Sequence, residues 1–182
     1  MIYIMSEWMH LFEGAPLRDM ARGAVVFRRD DPVQNMYLVR SGTVALERST
    51  ADGGFLTLHT ATGGMALAEA SLFSDKYHCD AVVRSDATVA CVKRSDFLTS
   101  LGDSRAIALS LIETHAREVQ VLRARIEILR LRRVADRLDA WLGFYGEPSK
   151  GEWITVAEQI GVSPPALYRE LARRRGKRKS AP

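Results

Sequence analysis

The chain has 182 residues, is 47% hydrophobic and carries a formal charge of +4 at neutral pH. This length suits one or two domains, and two cysteines are too few for a disulfide framework. Residues 1–5 are apolar but lack the basic segment of a leader and the length of a membrane span, so we expect a cytoplasmic protein. Residues 101–182 hold 16 of the 26 basic and 10 of the 22 acidic side chains. We therefore expect the C-terminal half to meet polyanions.

Short β-branched or apolar runs fill residues 23–94. Turn signals such as Ser41-Gly42 and Asp52-Gly53 separate them. Regularly spaced short strands of this kind predict an antiparallel roll or barrel. The predicted strands are 24–27, 36–39, 43–47, 55–59, 81–83 and 88–92.

Residues 104–131 predict one long helix with a narrow apolar stripe. The stripe repeats at intervals of three and four, as in a coiled coil between two chains, and its histidine would fix the register. An amphipathic helix lying on its own domain is the alternative, but the length and narrowness of the stripe favour a dimer. The predicted dimer residues are Ile112, His115, Val119, Leu122, Ile126 and Leu129.

A further helix is predicted at 133–144, and residues 153–171 then predict a helix, a tight turn and a second helix. Ala157 is small enough for two helices to cross, Gly161 permits the turn, and Ser163 caps the next helix. A basic end follows that can neutralise phosphates, although a merely solvated tail is the alternative. The predicted polyanion-binding residues are Ser163, Tyr168, Arg169, Arg173, Arg174, Arg175, Lys177 and Arg178.

Four stretches of the chain resemble the Crp/Fnr superfamily of transcription regulators: residues 27–44, 64–73, 137–138 and 157–163. The resemblance implies an α+β fold, with an antiparallel β-roll (double-stranded β-helix) as sensor in residues 1–103. A dimerisation helix in 104–131 and a helix-turn-helix domain in 132–182 would follow. The resemblance implies double-stranded DNA, a second copy of the chain and RNA polymerase as partners.

The resemblance also implies an effector pocket, but the phosphate-binding part departs from the pattern. Cyclic-nucleotide-binding members hold the ribose with a glutamate and the cyclic phosphate with an arginine, whereas Cys79 and Asp80 occupy the latter positions here. A carboxylate about 4 Å from a phosphate is repelled by several kcal/mol, so we expect no useful binding of cyclic AMP. Arg123 could supply a positive charge from the dimer helix and rescue an anionic ligand, so a cyclic-nucleotide-dependent regulator is the alternative. The pocket residues implied are His59, Glu69, Cys79, Asp80, Leu122 and Arg123.

A metal or redox signal is the alternative to a cyclic nucleotide, because residues 77–80 and His59 bring imidazole and thiol groups together in the implied fold. These groups suit copper, zinc or haem iron, and a cysteine beside a histidine can sense oxidants. The alternative is that Cys79 is a small buried side chain and His78 a hydrogen-bonded strand residue, since adjacent strand residues point to opposite faces. The effector is thus not identified. The choice lies between a constitutive DNA binder, with Asp80 paired to Arg123, and a metal or redox sensor at Cys79.

Two further departures concern the DNA-binding end. Pro164 and Pro165 stand where many members carry arginine and glutamate, so Arg169 remains as the candidate base reader. The wing strands that would follow are expected to be absent. A regulator acting through protein contacts is one alternative, and a cupin-like metal enzyme is another. The enzyme would need a His-x-His pair, which the four histidines do not form.

Overall fold

The computed structural model describes residues 6–51, 53–149 and 151–179, with side chains as far as residue 176. The chain forms two compact units that divide between Thr114 and His115, inside the longest helix. In the described part of the chain, no helix is both long and apolar enough to cross a membrane.

The described residues of the first unit form one antiparallel sheet of six strands. In the path β1-β6-β3-β4, the long strands β3 and β6 pair with each other, β2 joins β6 and β5 joins β3. A continuous apolar core fills the unit, and Val39, Val44 and Val83 within it have no exposed surface. The strands are β1 Leu17–Met20, β2 Val25–Phe27, β3 Asn35–Ser49, β4 Phe55–Thr62, β5 Ala66–Leu67 and β6 Asp80–Lys93.

The prediction of a turn at Ser41-Gly42 is wrong, because β3 runs through it with an irregular register against β6. Gly42 has φ +80°, and a Cβ there would lie 2.2 Å from the carbonyl oxygen of Asp86. Glycine therefore lets the two long strands approach closely where a turn was predicted. Likewise β6 is one strand where two were predicted, and β1 and β5 were not predicted at all.

In the part of the chain that the structure describes, five α-helices follow the sheet: α1 Arg94–Asp103, α2 Arg105–Arg130, α3 Val134–Tyr145, α4 Trp153–Gln159 and α5 Pro164–Lys179. The α+β fold class predicted from the sequence is confirmed, although α1 was not anticipated. The second unit has its own core around Ile128, Leu138, Ile160 and Leu167. Ala157 is fully buried in this core, which fits a small residue where helices cross.

Candidate nucleic-acid interface and effector cassette

Residues 68–80, here called the cassette, contain the positions that the resemblance assigns to ribose and phosphate binding. Hydrogen bonds to their polar groups hold them in place. Glu69 begins a short 3-10 helix, Glu69–Ser71, and its Oε2 atom is buried. The hydroxyl of Ser71 contacts Nδ1 of His78 at 2.9 Å, and Nε of Arg48 donates to the carbonyl of His78 at 2.9 Å. Oδ1 of Asp80 accepts the backbone N–H of Arg29 at 2.8 Å. The cassette is therefore fastened to β3 and to the segment that follows β2.

The Cys79 thiol lies inside this cassette with only 1% of its residue surface exposed. Burial raises its pKa to about 11, and the carboxylate of Glu69 contributes in the same direction. The guanidinium of Arg48 lowers this pKa, and Asp80 raises it further. Because only the thiolate is reactive and binds metals, a raised pKa keeps the Cys79 thiol in its protonated, less reactive form at neutral pH.

The helix-turn-helix consists of α4, a tight turn and α5. The carbonyl of Ser163 accepts the backbone N–H groups of Ala166 and Leu167 at 2.9 and 3.1 Å, which starts α5. Leu167 has no exposed surface and faces the core, whereas Tyr168 is 48% exposed and Arg169 is exposed as well. Successive residues of an α-helix are rotated by about 100° around its axis, so α5 has an apolar inner face and a polar outer face.

Two arginines of the basic end are already engaged within the unit. Arg173 donates to both carboxylate oxygens of Glu170 at 2.7 Å. Arg174 donates to Glu170 at 2.8 Å, to Asp139 on α3 at 2.6 Å and to the carbonyl of Ala135 at 2.9 Å. These contacts lower the pKa of Glu170 to about 2. Arg174 therefore fastens α5 to α3.

The remaining members of the predicted basic set are placed differently. Arg175 is exposed. Lys177 and Arg178 continue α5, but their side chains lie outside the described residues. The outward basic groups of α5 that the structure describes and that no acidic side chain holds are therefore Arg169 and Arg175.

The stripe predicted on α2 is largely exposed in the single chain. Ile112, Leu122 and Ile126 are 61%, 56% and 55% exposed. Val119 and Leu129 are partly exposed as well, and Nδ1 of His115 lies 2.8 Å from a carboxylate oxygen of Glu118. Large apolar side chains rarely form such a continuous exposed stripe unless a partner covers it.

Comparison with known proteins identifies the first unit. The family model described as the cyclic nucleotide-binding domain matches residues 17–103, which contain all six strands and α1. Residues 17–103 are therefore similar to that domain. The resemblance to the Crp/Fnr superfamily seen in the sequence is confirmed.

The chain is also similar to the anaerobic regulatory protein of Bacillus subtilis (strain 168), 26% identical over 123 residues. The match covers 64% of this chain and 52% of the relative, so the chain spans about half the length of that curated relative. FixK2 of Bradyrhizobium japonicum is 18% identical, with a TM-score of 0.67 over 90% of this chain and 85% of its own. CLP of Xanthomonas campestris, described as a c-di-GMP responsive global regulator, is 22% identical, with a TM-score of 0.65 over 92% and 90%. These two structures share the fold.

The residues at the phosphate-binding position of the matched region do not fit a cyclic phosphate. A neutral buried thiol stands where the resemblance expects an arginine, and the carboxylates of Glu69 and Asp80 both act on it electrostatically. A phosphate in this place would meet two negative charges, and Arg48 donates to the backbone of the cassette itself. The residues present therefore disagree with the ligand that the family name implies.

The predicted effector pocket is only partly assembled by contacts within the first unit. Glu69, Cys79 and Asp80 interact electrostatically in the matched region. His59 is exposed on β4, opposite Leu46 of β3. Leu122 and Arg123 belong to the second unit, so their place in the pocket remains a prediction.

The sequence argument for a packing role assumed that His78 and Cys79 lie in a β-strand, and this assumption is wrong. Neither residue is in a strand, because β6 begins at Asp80. His78 is instead fixed through Ser71, and burial and Arg48 lower its pKa. Within the described residues, no group of three or more His, Cys, Asp and Glu side chains is placed to hold a metal ion.

Sequence reasoning missed three polar residues that the structure makes prominent: Arg48, Arg137 and Glu170. Arg48 and Arg137 bond to distant backbone carbonyls that no local spacing indicates. Arg137 stood out in the sequence only through the family resemblance. The one available signal was the i, i+3 and i, i+4 spacing of Glu170 with Arg173 and Arg174, which is typical of helical ion pairs.

Proposed function

We propose that this chain is a homodimeric transcription regulator of the Crp/Fnr type that binds double-stranded DNA and does not use cyclic AMP. The observation that carries the proposal is the helix-turn-helix pair, whose second helix exposes Tyr168 and Arg169 on its outer face. An arginine in this position can bond to guanine in the major groove, and further basic groups can bind phosphates. We assign the chain no catalytic role. Its place is the cytoplasm, and RNA polymerase is the partner that the resemblance implies.

A homodimer is supported by the exposed stripe of α2. Ile112, Leu122 and Ile126 recur with coiled-coil spacing and are each more than half exposed. A second α2 carries the same stripe and would cover it in a two-fold arrangement, which also supplies two recognition helices for an imperfect palindrome.

DNA binding is tested by electrophoretic mobility shift over a range of salt concentrations. We expect the wild-type affinity to fall steeply with salt, and Arg175→Ala to reduce the slope of log affinity against log salt by about one. Arg169→Ala should weaken a preferred sequence more than random DNA. Arg18→Ala, which removes one exposed charge from β1 instead, is the matched control and should leave both unchanged. A wild-type protein that shifts no DNA at low salt would overturn the proposal.

The effector site is best explained by a constitutive regulator. The raised pKa and burial of Cys79 favour packing over metal binding or peroxide chemistry. Calorimetry with cyclic AMP should detect no binding. The DNA affinity of wild type and of Cys79→Ser should be unchanged by chelator, by Cu(I) or Zn(II), and by mild peroxide. A change of about fivefold or more, near the lower edge of ordinary coupling energies, in wild type alone would establish sensing at this thiol.

A further inference from the structure

One arginine, Arg137 on α3, joins the end of α2 to the turn of the helix-turn-helix. Its Nε donates to the carbonyl of Leu131 at 2.8 Å and its Nη2 to the carbonyl of Leu129 at 3.2 Å. Its Nη1 donates to the carbonyls of Ile160 and Gly161 at 3.0 and 3.2 Å. A single guanidinium thus contacts four backbone oxygens from two parts of the chain.

These four carbonyl oxygens lie at or just beyond the C-terminal ends of two helices, where a nearby positive charge is stabilising. Leu129 lies in the last turn of α2 and Leu131 just beyond it, whereas Ile160 and Gly161 follow α4. The last carbonyls of a helix have no partner within the helix and carry its partial negative charge. The planar guanidinium, with five N–H donors, can satisfy both helix ends at once, which the three donors of a lysine ammonium cannot do in the same geometry.

The turn is also in steric contact with α2. A Cβ on Gly161 would lie 2.7 Å from Cδ2 of Leu129 and 3.4 Å from Nη1 of Arg137. Ile128, in the same turn of α2, is 1% exposed and belongs to the core of the second unit. The end of α2 and the turn between α4 and α5 are therefore packed together with Arg137 between them.

We propose that Arg137 is a positioning residue that fixes the direction of the recognition helix α5 relative to the end of α2. The proposal rests on the proposed DNA-binding dimer, because in that dimer the direction of α5 sets the separation of the two recognition helices. Arg137 touches no DNA in this scheme. It determines which spacing between two half-sites the dimer accepts.

The first test uses duplexes that the wild-type protein selects from a random pool. They are then made as single half-sites and as full sites whose spacer is altered by one or two base pairs. Wild type should prefer one spacing, since half-sites must lie about one helical turn apart. Arg137→Gln should bind the best full site about tenfold more weakly, a loss of ~1.4 kcal/mol, and should show a flattened dependence on spacing. Its affinity for a half-site should stay within about twofold of wild type.

Arg132→Gln is the matched control, because it removes the same charge from the exposed segment between α2 and α3. It should keep the wild-type dependence on spacing. Arg137→Lys keeps the positive charge but loses the planar guanidinium with its five N–H donors, so it should behave like Arg137→Gln. It replaces the glutamine variant if that variant does not fold. A wild-type spacing dependence in the Arg137 variants would overturn the proposal, as would equal losses on half-sites and full sites.

A second measurement needs no DNA. Spin labels on Ala172→Cys, an exposed position of α5, report the distance between the two recognition helices of a dimer. Wild type should give a narrow distance distribution and Arg137→Lys a broad one. A narrow distribution in both would overturn the proposal. If the random pool yields no preferred sequence, the proposed function fails, while the distance distribution still decides the role of Arg137.

Discussion

Replacing Ile126 by glutamate should dissociate the proposed homodimer. Ile126 is 55% exposed in the single chain, so covering it buries about half of an isoleucine side chain, worth about 1 kcal/mol per chain and ~2 kcal/mol per dimer. Glutamate loses this hydrophobic stabilisation and also places a carboxylate in the seam. Removing each carboxylate from water costs several kcal/mol of dimer stability. A total loss of at least ~4 kcal/mol corresponds to a dissociation constant raised about a thousandfold.

Sedimentation equilibrium measures this dissociation constant directly. Val121→Glu is the matched control, because Val121 is also 55% exposed but lies outside the six-residue stripe. We expect this control to remain dimeric at concentrations where Ile126→Glu is monomeric, and adding Leu122→Glu should complete the dissociation. The seam is misplaced if Ile126→Glu sediments as the wild type does. Equal dissociation of both variants would show that helix stability, rather than the seam, had been changed.

Three further predictions concern stability. Because the pKa of Glu170 is lowered to about 2 from 4.5, its contribution is present above pH 4.5 and lost as the pH falls towards 2; in acid titrations of the free energy of unfolding, Glu170→Gln should remove this dependence, and an unchanged acid limb would contradict it. The pKa of Cys79 is raised from 9.0 to about 11, so its contribution is lost as the pH rises through that range, and Cys79→Ala should lose less stability there than wild type. Gly42→Ala should cost more than ~3 kcal/mol in denaturant unfolding, because positive φ and a 2.2 Å contact both oppose a Cβ. Gly53→Ala, with φ +82° and nothing within 4 Å, isolates the effect of φ, and equal losses at both glycines would refute the steric argument.

Local patterns predicted the elements whose formation depends on neighbours in sequence. The repeat from Ile112 to Leu129 falls within the observed helix α2, and Ala157, Gly161 and Pro164 lie in the observed helix-turn-helix as expected. Helical periodicity and turn chemistry are properties of a few consecutive residues, so they can be recognised from a single sequence. The division of β3 at Gly42 was wrong for the opposite reason. Whether a glycine makes a turn or permits a close strand crossing depends on Asp86, more than forty residues away.

The roles of the charged residues were decided only by the tertiary structure. The sequence predicted that Arg173 and Arg174 bind phosphates, but the fold brings Glu170 and Asp139 within 2.6 to 2.8 Å of them. Likewise, nothing in the spacing around Arg137 indicates the four carbonyls that it contacts. A long flexible side chain takes whichever partner the packed backbone leaves within its reach. Composition can therefore predict that the C-terminal half is basic, but only the three-dimensional positions of carboxylates and helix ends decide which arginines are already paired within the chain.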